Sequence, residues 1–168
     1  MSSHFGFATI AAAVPLLMQV SGALAQSVTA EEQNTIISMH HTYRALHCAP
    51  PLTWSAELAA SAQQWANKCE TAHGPHGRFG ENLAWGATRS ASGAVYDWYK
   101  EVEKYNYGKP GFAHGIGHFT QMIWINTKQI GCGVTRCNSK IGRLWVCRYA
   151  PAGNWFGRFR QNVPKRCK

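Results

Sequence analysis

Acid is scarce in this sequence. Its 168 residues hold 8 Asp and Glu against 17 Lys and Arg, and Asp97 is the sole aspartate. A Ser-His-Asp triad would have to be built on that one residue, and a site needing several aspartate ligands is excluded. Beyond Glu103 acid is absent: residues 104–168 carry twelve Lys and Arg and no carboxylate, whereas residues 1–103 carry five and eight. Paired short cysteine spacings are missing too, the shortest being Cys132 to Cys137, which sets aside a zinc finger. There is no G-x-S-x-G elbow, no H-E-x-x-H and no N-x-S/T sequon. No repeat or low-complexity linker divides residues 26–168.

What is present reads as a packed, exported globule. Hydrophobic residues make up 45% and charged residues 15%, with seven Trp, six Tyr and seven Phe to fill a core. Residues 5–20 (FGFATIAAAVPLLMQV) form an apolar run that leads through Ser21-Gly22 to Ala23-Leu24-Ala25. That is the pattern of a secretory signal peptide over residues 1–25, cleaved after Ala25, with one domain over 26–168. Its first residues offer only His4 where a Lys or Arg is usual, and Pro15 and the shortness of the run argue against a membrane span. All six cysteines (Cys48, Cys69, Cys132, Cys137, Cys147 and Cys167) follow the leader, which points to three disulfides among 15 pairings.

Thr29-Ala30-Glu31-Glu32 reads as a capping box that opens a first helix. Ile36, His40, Tyr43 and either Leu46 or His47 share one helical stripe, and Pro50-Pro51 would stop the helix. A second helix starts near Ser55 and buries Leu58, Ala62, Trp65 and Cys69. A third spans about Gly93–Tyr105, with Val95, Trp98, Tyr99 and Val102 inside. A shorter one covers His118–Ile125. Ile130–Cys137 and Leu144–Tyr149 are rich in β-branched and aromatic residues and read as strands joined by a hairpin loop, and Asn82–Trp85 adds a third. A loop symmetric about its middle puts Cys132 opposite Cys147, within reach of a bridge. The class expected is α+β: helices on both faces of a small, mainly antiparallel sheet, a three-layer α-β-α sandwich.

Of the histidines after the leader, two sit in segments built for more than packing: His73, ahead of Gly80-Glu81-Asn82-Leu83, and His118, in Gly117-His118-Phe119-Thr120-Gln121-Met122-Ile123-Trp124. The latter stretch, with Asn126-Thr127, resembles the first signature of the CAP superfamily, which comprises cysteine-rich secretory, antigen 5 and plant pathogenesis-related class 1 proteins. Cys147-Arg148-Tyr149-Ala150-Pro151-Ala152-Gly153-Asn154-Trp155 resembles its second signature. His73 through Gly86 and Trp98 through Tyr107 resemble two further segments, in family order, so the likeness covers nearly all of 31–163.

The resemblance implies the same sandwich and gathers His73, Glu81, Glu101 and His118 in a central cleft, with His76 as the alternative to His73. Two imidazoles and two carboxylates suit zinc or another divalent cation, with open positions left for water, and His73 and His118 are the ligands expected to hold it. It implies the bridges Cys69–Cys137 and Cys132–Cys147, which leaves Cys48 and Cys167 for each other. It also implies a sterol or fatty-acid-like ligand. Here the loop Tyr105–Gly117 would take a sterol, with Tyr105, Tyr107 and Phe112 as its aromatics. Alternatives are a metal-assisted hydrolase using the same cleft, and a defence or signalling protein acting at cell surfaces. No residue is assigned a catalytic role. The basic half suits an anionic membrane surface, with Arg158, Arg160, Lys165, Arg166 and Lys168 as its densest cluster, and no nucleic-acid module is present.

Overall fold

The computed structural model describes residues 1, 27–74, 78–138 and 140–167. The expected signal peptide beyond Met1, and also His76 and Lys168, lie outside the described residues. Helix α1 runs Ala30–Ala45, and its start is the capping box read from the sequence: the Thr29 hydroxyl accepts from the Glu32 N–H while the Glu32 carboxylate accepts from the Thr29 N–H. Its end comes earlier than Pro50-Pro51 would set it. Leu46 to Cys48 form a turn, with Cys48 in the left-handed region at φ 51°. His47 is buried and Leu46 exposed, which settles the stripe in favour of His47.

Helix α2 (Ala56–Ala66) is capped by the Ser55 hydroxyl and buries Leu58, Ala62 and Trp65. Cys69 lies past its end. Helix α3 (Ala91–Lys100) is capped by Ser90 and passes into a 3-10 turn, Glu101–Lys104, so the helical winding tightens before Tyr105. Helix α4 spans Gly117–Ile123, and a single turn, α5, covers Phe159–Asn162.

Four strands make one sheet in the order β1-β3-β4-β2. They are β1 (Thr53–Trp54), β2 (Gly80–Gly86), β3 (Gln129–Arg136) and β4 (Arg143–Ala150). The pairs β3–β4 and β2–β4 are antiparallel, and the short β1 adds a parallel edge to β3. Alternation along the strands divides the core in two. Ile130, Cys132 and Val134 of β3 and Trp145, Cys147 and Tyr149 of β4 join the larger cluster, under α1, α3 and α4. Leu83, Leu144 and Val146 face α2 in the smaller one. The architecture is an α-β-α sandwich with a small mixed sheet. On its α2 face β3 presents Gly131 and Gly133, where a Cβ would collide with the α2 backbone at Ala59 and Gln63. Helix α2 therefore lies against bare strand.

Three disulfides close the fold. Cys132–Cys147 links residues directly opposite each other in the β3–β4 register, with Cα atoms 4.1 Å apart. Cys69–Cys137 ties the segment after α2 to the end of β3, and Cys48–Cys167 ties the chain's last residues to the turn after α1. The tail is held further by the Cys167 N–H, which donates to the Leu46 carbonyl. The His47 imidazole donates from Nδ1 to the Pro164 carbonyl at 2.8 Å, and the Arg166 guanidinium donates to the Tyr99 hydroxyl at 3.1 Å.

Candidate functional site

The four side chains of the expected cleft form two His–Glu pairs. His73 Nδ1 lies 3.1 Å from Glu81 Oε1, and His118 Nδ1 lies 2.8 Å from Glu101 Oε1. A carboxylate only accepts, so each ring carries its proton on Nδ1, the tautomer that puts the lone pair on Nε2. Glu81 is reached from edge strand β2 on the side that faces α2. Its cross-strand neighbour Arg148 donates from Nε to Glu81 Oε2 at 3.1 Å and from an Nη to the Ser61 carbonyl of α2 at 3.0 Å. The Gly74 N–H donates to Glu81 Oε1 at 2.9 Å. One residue on, Asn82 faces the other layer, where its amide donates to the His118 carbonyl at 3.1 Å and the Tyr149 hydroxyl at 3.2 Å. Two adjacent residues of β2 thus address the two halves of the site from opposite faces.

Both carboxylates are fully engaged. Burial pushes Glu81 upward, but hydrogen bonds from His73, Gly74 and Arg148 outweigh it and leave the carboxyl below its ordinary value. Glu101 follows the same logic: burial pushes it up, and the His118 ring with the backbone N–H groups of Phe119 and His118 brings it below the usual range. Among the described residues no group of three or more His, Cys, Asp or Glu is gathered so as to hold a metal.

One hollow borders the His73–Glu81 pair. A cleft of about 480 Å³ is lined by His73 and Glu81 on one side and by Phe79, Trp155 and Phe156 on others. Its wall from Ala152 to Asn154 is fixed by α4: Gln121 Oε1 accepts the Gly153 N–H at 2.8 Å, and the Thr120 hydroxyl donates to Asn154 Oδ1 at 2.6 Å. Asn154 there adopts φ 60°, a left-handed conformation that asparagine tolerates. A second hollow of about 340 Å³ lies under the loop that follows α3, lined by Tyr105, Pro110, Phe112 and Ile116 with Lys104 and Lys109. Glu101 borders neither, lying on a third hollow with Lys100 and Glu103.

The three loop aromatics divide. Tyr105 is buried and packs edge-on against Tyr107 with centroids 4.8 Å apart, and it also meets Phe119. Tyr107 packs on the larger core. These two anchor the loop. Phe112 is 53% exposed and touches Phe156 and Phe159. In the basic cluster, Arg166 is engaged by Tyr99, while Arg158, Arg160 and Lys165 are exposed.

Some residues that shape the site escape a reading of the sequence. Arg148, the partner of Glu81, interrupts the apolar run Leu144–Ala150 of β4, and a charge inside such a run is the signal that marks it. Arg44 is 0% exposed and donates to the carbonyls of Pro50, Met122, Trp124 and Thr127, which fastens α1 to the end of α4. Gln121 and Asn154 shape the cleft wall and carry no sequence mark beyond lying in the two signatures.

Known proteins are similar to this chain in sequence and in fold. The family model for the cysteine-rich secretory protein family, CAP, matches residues 37–149. The chain is 37% identical over 156 residues to the Golgi-associated plant pathogenesis-related protein 1 of Homo sapiens, which takes in 85% of this chain and 100% of that one. It is 40% identical over 133 residues to Protein PRY2 of Saccharomyces cerevisiae, which takes in 77% of this chain but 40% of the yeast protein, so it spans less than half of that relative. In fold it matches the crystal structure of NaASP2 with Zn2+ at a TM-score of 0.69 and 22% identity, over 84% of this chain and 88% of that one. The chain belongs to the cysteine-rich secretory protein (CAP) family.

Proposed function

We propose that this is a secreted CAP-domain protein that holds a sterol, or another flat hydrophobic lipid, beneath the loop 105–117. The observation that carries this reading is the hollow of about 340 Å³ under that loop. Its size falls within the range of small-molecule pockets, and its lining is mostly apolar with a few polar groups. Tyr105 and Tyr107 secure the two ends of the loop's first turn to the core, so Phe112 is the aromatic that can swing over a ring system. Lys104 and Lys109 would meet a hydroxyl or carboxylate head.

The His–Glu pairs support a divalent cation as a secondary ligand. Glu81 and Glu101 spend their oxygens on hydrogen bonds, so they orient the rings, and His73 and His118 are the groups that would hold zinc through Nε2. Two imidazoles leave the remaining positions to water, which makes for modest affinity. The NaASP2 structure with Zn2+ is in keeping with this, as a property of that protein. The same geometry argues against a hydrolase. A general base works best with a pKa near the operating pH, and both carboxyls are displaced the other way. A released C-terminal defence peptide is also disfavoured, because the tail stays tethered through Cys48–Cys167.

The test is mass spectrometry of lipid co-purified with the secreted protein, with sterol uptake measured for wild type and Phe112→Asp. Bound sterol, and uptake that falls about tenfold in the variant, is the expected result. Sterol-free protein with equal uptake by both forms overturns the reading. Zinc content that stays the same after His118→Ala overturns the cation site alone.

A further inference from the structure

Trp155 and Phe156 are 60% and 84% exposed, and Phe112 53%. They form one edge. The rings of Phe112 and Phe156 meet edge-on with centroids 6.3 Å apart, although their residues come from two different loops. Trp155 is next in sequence, and its orientation is fixed by its indole N–H, which donates to the Ala152 carbonyl at 3.0 Å. Large aromatics grouped in water mark a surface that meets a partner.

The exposed charges on the two loops that carry this ridge are positive, and the one carboxylate of the adjoining cleft, Glu81, is paired with Arg148. Lys104 and Lys109 line the hollow that Phe112 borders, and Arg158 borders another with Trp155 and Phe156. Arg160 is close enough to Tyr105 of the same loop to act on it electrostatically. All four cations are exposed, and no carboxylate exists anywhere in residues 104–168. Aromatic tips within a ring of cations match the layered chemistry of an anionic bilayer, where phosphate and carboxylate heads overlie acyl chains. A second copy is a poor fit, since it would bring the same four cations face to face.

We propose that Phe112, Trp155 and Phe156 insert into the headgroup region of an anionic membrane, with Lys104, Lys109, Arg158 and Arg160 as the surrounding electrostatic contacts. Docking in this pose presents the hollow beneath the Phe112 loop to the bilayer, so the route by which a lipid enters rests on the ligand reading above; the docking itself does not.

Co-sedimentation of the protein with sterol-free vesicles separates the two. Vesicles of phosphatidylcholine alone are compared with vesicles containing about a third phosphatidylserine. Wild type is expected to bind the latter, more strongly in low salt than in high. Phe156→Ser, at a position with little to lose in folding, is expected to weaken binding about tenfold at both salt levels. Arg158→Gln with Arg160→Gln is expected to weaken it mainly in low salt. Vesicle binding without sterol uptake leaves docking intact and removes the ligand reading. Equal binding by wild type and Phe156→Ser overturns docking, as does equal binding to both vesicle types. Self-association that Phe156→Ser abolishes, without vesicle binding, likewise overturns it.

Discussion

Glu101 caps a helix to which it does not belong. Its Oε2 accepts the backbone N–H groups of His118 at 2.9 Å and Phe119 at 3.1 Å, while its Oε1 accepts from the His118 ring at 2.8 Å. Helix α4 has no side-chain cap of its own at Ile116, so a carboxylate from the end of α3 meets its first unpaired donors and the positive end of its dipole. The residue is structural before it is anything else. Glu101→Ala is expected to lower the unfolding free energy by about 3 kcal/mol, more than His118→Ala, because the latter leaves both backbone contacts in place. Urea denaturation of the two variants checks the order. Equal losses would mean that Glu101 acts only through the ring.

Arg148 and Glu81 pose the complementary case. The pair is cross-strand and buried on both sides, and the guanidinium also lies 4.1 Å from the Phe79 ring centroid. Arg148→Met removes the cation and leaves a buried carboxylate with less compensation. A loss of about 3 kcal/mol is expected. Adding Glu81→Gln to that variant should recover part of the loss, a coupling read from the double-mutant cycle.

Two pH windows follow from the buried groups. His40 donates from Nδ1 to the Ile36 carbonyl and accepts the Tyr149 hydroxyl at Nε2, and burial pushes its pKa down to about 4. Burial lowers His47 as well. The unfolded chain protonates these rings near pH 6.5, so their contribution is complete above that value and declines as pH falls below it, that of His40 down to about 4. Glu81 and Glu101 sit below their ordinary values, so what they contribute is full above about pH 4.3 and is lost only under more acidic conditions. Thermal melts across pH should therefore soften in two stages. His40→Gln flattens the upper stage, and Glu81→Gln or Glu101→Gln the lower.

The bridges should open in order of access. Cys48 and Cys167 are exposed, whereas Cys132 and Cys147 are 2% and 0% exposed. Mild dithiothreitol followed by alkylation and mass spectrometry is expected to label Cys48 and Cys167 first. The bridge closes a separation of 119 residues, and its removal by Cys48→Ser with Cys167→Ser is expected to cost up to about 5 kcal/mol on a chain-entropy argument.

Where local physics decides the structure, the sequence is transparent. The capping box at Thr29 and the serine cap at Ser55 mark helix starts because side-chain hydroxyls fill unpaired donors within three residues, whereas the third helix starts at Ala91, ahead of the expected Gly93, with Ser90 as its cap. The register of Cys132 against Cys147 follows from strand alternation about a short loop. Endings are less legible. The end of α1 is set by Cys48 in a left-handed turn bridged to a residue 119 positions away, and the tightening after Lys100 accompanies Glu101 in its reach to α4. Neither cause is local. Strand β1 escapes because two residues after a Pro-Pro pair carry no period, and only the edge of β3 makes them a strand. Buried Arg44 carries no mark in the sequence because its partners are carbonyls from distant segments.

The contact at Gly131 and Gly133 decides from which side this molecule can be entered. With helix backbone resting on strand backbone, the seam between α2 and β3 has no thickness to yield. Guests of any size must come in through the opposite layer or along the rim, and engineered pockets belong there too.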